Sequence, residues 1–319
     1  MAKKIIFMFS GQGSQYYHMG KSLYENNSFF KNWINKLDHM VSDAFGISIG
    51  EKIYNPDKKI HDPFNRTLYS HPAIFMIEYS LAQLLFHDGI APDGVFGVSM
   101  GEFAAAAIAG VLTLKEAIEA VVKQAIQIEE LCEKGKMYAV LENVSIYNNA
   151  QILREFSELA AVNFSSHFVI SVKNENISII EKYLSDNQIC YAKLPVSHAF
   201  HSSSLDPVEE SYQEVLKKIK CRKPNILFYS NVYAEPLKEI PKNYFWEIAR
   251  QPILFQQSMQ HLNDKEEYIY IDLGPSGTLA TFVKYNLGLQ TPVRIFPIIT
   301  PFGNEFKNFQ AVKNLQLDG

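Results

Sequence analysis

The chain has 319 residues, 47% of them hydrophobic and 20% charged, with a formal net charge of −4. That length supports a sizeable core in one compound domain, and dispersed basic residues on a near-neutral chain exclude a nucleic-acid footprint. Cys132, Cys190 and Cys221 are too few and too scattered for a disulfide framework or a metal-ligand set, so no metal and no cofactor is expected. A reducing, cytoplasmic compartment follows, and with no apolar stretch of spanning length, no membrane association is expected.

The first element is a buried strand at residues 5–9, Ile5-Ile6-Phe7-Met8-Phe9, which stops at the glycine-rich Ser10-Gly11-Gln12-Gly13. Five apolar residues are too short a run for a signal peptide, and the loop after them is what a strand end requires. Helices are predicted at 28–44 and 73–86, followed by the apolar pair Val95-Phe96 and further helices, an α/β alternation. Between about 136 and 197 the pattern changes to strand 137–141, helix 149–156, strands 160–164 and 168–173, helix 177–185 and strand 190–194. That β-α-β-β-α-β order is the ferredoxin-like signature and marks a small subdomain inserted into a larger one. The predicted division is therefore 1–135 with 198–319, and 136–197. After the insertion come strand 226–230, helices 244–250 and 257–263, and the apolar strand 268–273 ending in Gly274-Pro275-Ser276-Gly277. Beyond Phe302 the chain is polar and reads as a loosely held tail.

Ser99 lies in Gly97-Val98-Ser99-Met100-Gly101, a Gly-x-Ser-x-Gly pentapeptide between the Val95-Phe96 run and the small-residue helix Glu102-Phe103-Ala104-Ala105-Ala106-Ala107. Strand, sharp turn and helix in that order are the context a nucleophile elbow needs, because the glycines relieve crowding where the hydroxyl is pushed out of the sheet. The competing reading is a serine that only caps a helix.

Four segments in this order, Ser10-Gly11-Gln12-Gly13-Ser14-Gln15, Gly97-Val98-Ser99-Met100-Gly101-Glu102, His198-Ala199-Phe200-His201 and Gly274-Pro275-Ser276-Gly277, resemble the malonyl-CoA:acyl-carrier-protein transacylase family over most of the chain. The resemblance implies an α/β-hydrolase-like larger subdomain with an inserted ferredoxin-like small subdomain, in agreement with the pattern above. It implies Ser99 as nucleophile and His201 as general base; a serine hydroxyl needs an imidazole to take its proton and return it to the leaving group. His198 is given no catalytic role. The oxyanion of a thioester adduct would be held by the backbone N–H groups of Met100 and Gln12. No acidic triad member stands out, and the family orients its imidazole with a main-chain carbonyl, for which the matching position is Ile248.

Malonyl-specific members of the family carry an arginine where this chain has Gln124, and that arginine pairs with the malonyl carboxylate. Gln124 falls in line with Ala117, Ala120, Val121, Ile128 and Leu131, an inward helical stripe, while Lys123 points about 100° away. An amide can donate to a carboxylate but cannot neutralise it, and a buried carboxylate without its cation costs about 3 kcal/mol or more, roughly a hundredfold in binding. Specificity is therefore expected to turn to uncharged acyl groups, as in the free-standing acyltransferase homologues that hydrolyse stalled chains from carrier proteins. Phe200, within the His-Ala-Phe-His segment that accompanies malonyl specificity, argues the other way and supports a malonyl-CoA:carrier-protein transacylase. Val98 before the nucleophile, and Asn163-Phe164-Ser165-Ser166-His167 in place of Asn-x-Pro-Gly-Gln, depart from the family and reshape the pocket rim around Asn163. The implied partner is an acyl carrier protein with a phosphopantetheine-bound acyl chain, with acyl-CoA a second candidate donor. A catalytically idle carrier-docking module has no use for a strained elbow.

Overall fold

The computed structural model describes residues 4–263, 267–288 and 294–314. Ten strands occur among them: β1 (Lys4–Phe9), β2 (Gly94–Gly97), β3 (Gly135–Val140), β4 (Glu158–Phe164), β5 (His167–Lys173), β6 (Tyr191–Lys193), β7 (Leu227–Ser230), β8 (Glu235–Pro236), β9 (Tyr268–Asp272) and β10 (Arg294–Pro297). They form two sheets.

The larger sheet has the order β10-β9-β1-β2-β7-β8, parallel except for the β7–β8 pair. Parallel strands are covered on both faces, which is why β1 is apolar without alternation. Its side chains divide between two cores, with Phe7 and Phe9 packed on one side and Ile6 and Met8 on the other. The long helices Ser28–Phe45, Thr67–His87 and Leu114–Leu131 pack into the Phe7 side. The last of these opens with a capping box, in which Thr113 accepts from Glu116 N–H and the Glu116 carboxylate accepts from Thr113 N–H.

The second sheet, β4-β5-β3-β6, is antiparallel throughout. With the helices that connect its strands, this is the ferredoxin-like order expected of the insertion. Alternation decides what each face touches. Tyr138, Val140, Phe168, Ile170 and Val172 face a separate small core with Leu153, Ile180 and Leu184, whereas Met137, Ala139 and Val169 face the main core.

Some elements differ from the expectation. The helix expected at 73–86 begins at Thr67 and carries Pro72 within it. Its exposed first N–H groups are served by tertiary structure, since Leu68 N–H donates to the Glu129 carboxylate at 2.9 Å. The helix expected at 149–156 is two short helices, Ser145–Asn149 and Gln151–Phe156, broken at Ala150, whose backbone is extended. The tail after Phe302 is not loose, because the helix Glu305–Lys313 buries Phe309 and Val312. Residues 315–319 lie outside the described ones.

Candidate active site

Ser99 sits between β2 and the helix Gly101–Ile108 with φ of 53°, a left-handed conformation that side chains other than glycine adopt only under constraint. The constraint is backbone crowding. A Cβ on Gly97 would lie 2.5 Å from Glu102 Cα, and one on Gly101 would lie 2.2 Å from the Phe9 carbonyl oxygen, so both neighbours of the turn must be glycine. Val98 N–H donates to the Phe9 carbonyl at 2.9 Å, binding the elbow to the end of β1.

Ser99 Oγ lies 2.8 Å from His201 Nε2. On the other side of the ring, His201 Nδ1 lies 2.8 Å from the main-chain oxygen of Gln251. A carbonyl can only accept, so Nδ1 carries the proton and Nε2 is left to accept from the serine. The carbonyl that orients the imidazole is therefore that of Gln251, immediately before Pro252, and not that of Ile248 as expected from the sequence. Ile248 is inside the helix Tyr244–Arg250, where its carbonyl points along the axis, whereas Gln251 is the extended residue that ends the helix. His201 is itself left-handed, with φ of 58°, and its N–H donates to the Ala249 carbonyl at 2.8 Å, so the same helix end grips it twice. Burial pulls its pKa down to about 4, opposed by the bond to Gln251, which keeps the ring neutral and able to accept a proton at ordinary pH.

Gln12 and Met100, the expected oxyanion donors, flank the serine. Among the described residues no protein group accepts from either backbone N–H. A Cβ placed on Gly11 would meet Ser99 Cβ at 2.8 Å, so the loop approaches Ser99 as closely as glycine permits. The loop is held from behind. Glu78, wholly buried on the helix Thr67–His87, accepts from both the N–H and the hydroxyl of Ser10, and Ser10 Oγ in turn meets Ser14 Oγ at 2.8 Å. Burial drives the Glu78 carboxyl well above its ordinary range, with Ser10 working against the shift.

A second buttress stands behind the elbow. Glu102 accepts from Asn231 N–H at 3.0 Å, and Asn231 Nδ2 donates to the Gly97 carbonyl. Burial raises the Glu102 pKa to about 8. The Gly274-Pro275-Ser276-Gly277 turn is organised in the same way by Asp272 at the end of β9, which accepts from Gly274 N–H and Ala280 N–H at 2.9 and 2.8 Å. Glu78, Glu102, Asn231, Asp272 and Gln251 escaped the sequence reading. Only Glu102, directly after the Gly-x-Ser-x-Gly motif, carried a local signal.

Ser99 and His201 open onto a cavity of about 240 Å³ lying between the two sheets. Gln12, Phe200, Thr278, Leu279 and Phe282 come from the larger part, and Met137, Asn163, His167, Val169 and Leu194 from the smaller one. Phe200 and Asn163 thus both line the cavity. The Phe200 carbonyl accepts from Ser171 Oγ on β5, and Asn163 Nδ2 is 3.0 Å from His167 Nδ1. Gln124 is buried, as its helical stripe predicts, but does not line the cavity. His198, also buried, meets Thr67 Oγ1 at 3.0 Å and Lys134 Nζ at 3.3 Å and so joins three segments without reaching the serine. No described helix is long and apolar enough to cross a membrane.

A serine on a sharp strand-to-helix turn, an oriented imidazole against it and a mostly apolar chamber make a site suited to acyl-group chemistry. The chain belongs to the acyl transferase domain family, whose model matches residues 6–315. It is 44% identical over 313 residues to the polyketide biosynthesis acyltransferase homolog PksD of Bacillus subtilis, covering 98% of this chain and 97% of that one. It is 43% identical over 314 residues to the homolog BaeD of Bacillus velezensis, with the same coverage. Among solved structures, the acyltransferase domain from the second module of the salinomycin polyketide synthase superposes with a TM-score of 0.86 at 28% identity, covering 98% of this chain and 72% of that one. The malonyl-CoA:acyl-carrier-protein transacylase of Streptococcus pneumoniae shares the fold at a TM-score of 0.80 and 24% identity, covering 98% and 99%.

Proposed function

We propose that the protein is an acyl hydrolase of polyketide biosynthesis that clears uncharged acyl groups from acyl-carrier-protein thioesters. The observation that carries this reading is the charge of the chamber. Among the described residues lining it there is no lysine or arginine, and burial holds both of its histidines, His167 and His201, towards the neutral form. A malonyl carboxylate entering this space meets no cation, at a cost of about 3 kcal/mol or more.

In this reading the chain reaches Ser99 on its phosphopantetheine arm. Ser99 Oγ attacks the thioester carbonyl while His201 Nε2 takes the hydroxyl proton, and the oxyanion is met by the N–H groups of Gln12 and Met100. Collapse expels the thiolate, which recovers the proton from the imidazolium, leaving an ester on Ser99. Water then attacks that ester, His201 accepting its proton and returning it to Ser99 Oγ as the free acid departs. Neither metal nor cofactor is required.

The alternative is a malonyl-CoA:carrier-protein transacylase, supported by His198-Ala199-Phe200-His201. Incubation with acetyl- and malonyl-loaded carrier protein and with malonyl-CoA, followed by mass spectrometry, separates free acid from transferred acyl group. Gln124→Arg tests the specificity argument, because it puts a cation at the position where malonyl-specific members of the family carry one. It is expected to raise malonyl loading relative to acetyl loading about ten- to a hundredfold, equivalent to roughly 1.4 to 3 kcal/mol. A wild-type enzyme that loads malonyl as well as acetyl, or an unchanged ratio in the arginine variant, favours the transacylase.

A further inference from the structure

Behind the chamber is a buried histidine to which the acyl-transfer chemistry gives no work. His71, in the helix Thr67–His87, is 1% exposed and neither of its ring nitrogens has a hydrogen-bond partner.

His71 adjoins the chamber. The His71 ring lies 5.5 Å from that of Phe200, centroid to centroid, and Phe200 is part of the chamber wall. Gln12, on the same wall, donates from Nε2 to Ser70 Oγ at 2.7 Å, next to His71, and its Oε1 is a further buried atom without a partner. Buried polar groups are nearly always satisfied, and several orphans converging beside an acyl chamber call for a ligand that satisfies them.

The chemistry of that ligand follows from the donors and acceptors. Burial lowers the His71 pKa to about 3, so the ring is neutral and offers one donor and one acceptor. Gln12 adds an acceptor through its unpartnered Oε1. Such a set suits a neutral oxygen; an anion would find no cation, and an ammonium no carboxylate. We propose that His71, with Gln12, forms a neutral hydrogen-bonding subsite behind Phe200 that receives a hydroxyl or keto oxygen of the acyl chain and favours oxygenated chains over plain hydrocarbon ones. The proposal rests on the reading that Ser99 is acylated from a thioester, and it names the class of acyl group that site prefers.

Acylation of Ser99 precedes both hydrolysis and transfer, so the test reads that step alone. The full-length protein is mixed with butyryl- or 3-hydroxybutyryl-pantetheine and the adduct on Ser99 is followed by intact-protein mass spectrometry. Wild type is expected to load the hydroxylated chain about tenfold faster, the effect of one well-made hydrogen bond in a buried site. His71→Phe, which keeps a ring and removes the nitrogens, should bring the ratio close to one, and His71→Gln, which restores a donor and an acceptor, should recover most of it. An adduct that forms without release of free acid would overturn hydrolysis while leaving the loading ratio readable. Equal loading by wild type, or a ratio unmoved in His71→Phe, would show that these atoms hold a structural water only. Absence of any adduct would remove this inference together with the acyl-enzyme.

Discussion

At the scale of single residues, the proposed reactivity rests on two side chains and one carbonyl. In the proposed mechanism Ser99 and His201 act as one unit, so their losses should not add. Ser99→Ala is expected to abolish both acyl-enzyme and turnover, His201→Ala to be comparably severe, and the double variant to be no slower than either, as read by single-turnover mass spectrometry. The protonation state of the imidazole yields a second expectation. Burial pulls the pKa of His201 down to about 4, so the base-competent neutral form persists as pH falls, well below the 6.5 of a solvated histidine. Ser99 acylation by an uncharged thioester should therefore be level from pH 8 to 5 and decline only as pH falls through about 4. A midpoint near 6.5 would mean that the ring is solvated.

Elements place those residues, and they do so with buried carboxyls behind each loop. Glu102 illustrates the energetics. Its pKa, raised to about 8 by burial, lies above the 4.5 of an exposed carboxyl, so between those values the folded protein holds a proton that the unfolded chain has released. Stability from this group is complete below about pH 4.5 and drains away as pH rises through 8. Glu102→Gln retains an acceptor for Asn231 N–H without the ionisation. Its unfolding free energy relative to wild type, measured by denaturant titration, should improve by about 1–4 kcal/mol between pH 5 and pH 9. A difference independent of pH would show that Glu102 is ionised in the fold.

In the whole molecule, the site is a seam. β4 extends its edge to the segment that orients the imidazole, with Ile253 N–H donating to Ala160 O at 2.8 Å and Val162 N–H to Ile253 O at 3.1 Å. Ile253 is two residues beyond the carbonyl that holds His201, so the small sheet supports the Ser99–His201 geometry as well as part of the chamber wall. Its own core is separate and compact. Leu184, fully buried there among Tyr138, Ile170 and Ile180, should cost about 2–5 kcal/mol when changed to Ala, measured by chemical denaturation.

The sequence by itself determined the plan of the chain and the strand–turn–helix context of Ser99. Gly97 is required because Glu102, five residues on, leaves no room for a side chain, and the strand and helix periods of residues 135–193 follow from which face each residue must bury. These are short-range constraints, written in nearby residues, whereas Gly101 answers to Phe9 at the end of β1. The tertiary structure alone decided that Gln251 supplies the orienting carbonyl, since any residue offers that group and only position selects it. It also decided that the helix expected at 73 starts at Thr67, where Glu129, distant in the chain, takes up a free N–H. The meeting of His71 with Phe200 across the chamber wall belongs to the same class. Backbone carbonyls, buried carboxyl buttresses and orphaned ring nitrogens acquire meaning from neighbours remote in sequence, which no local pattern encodes.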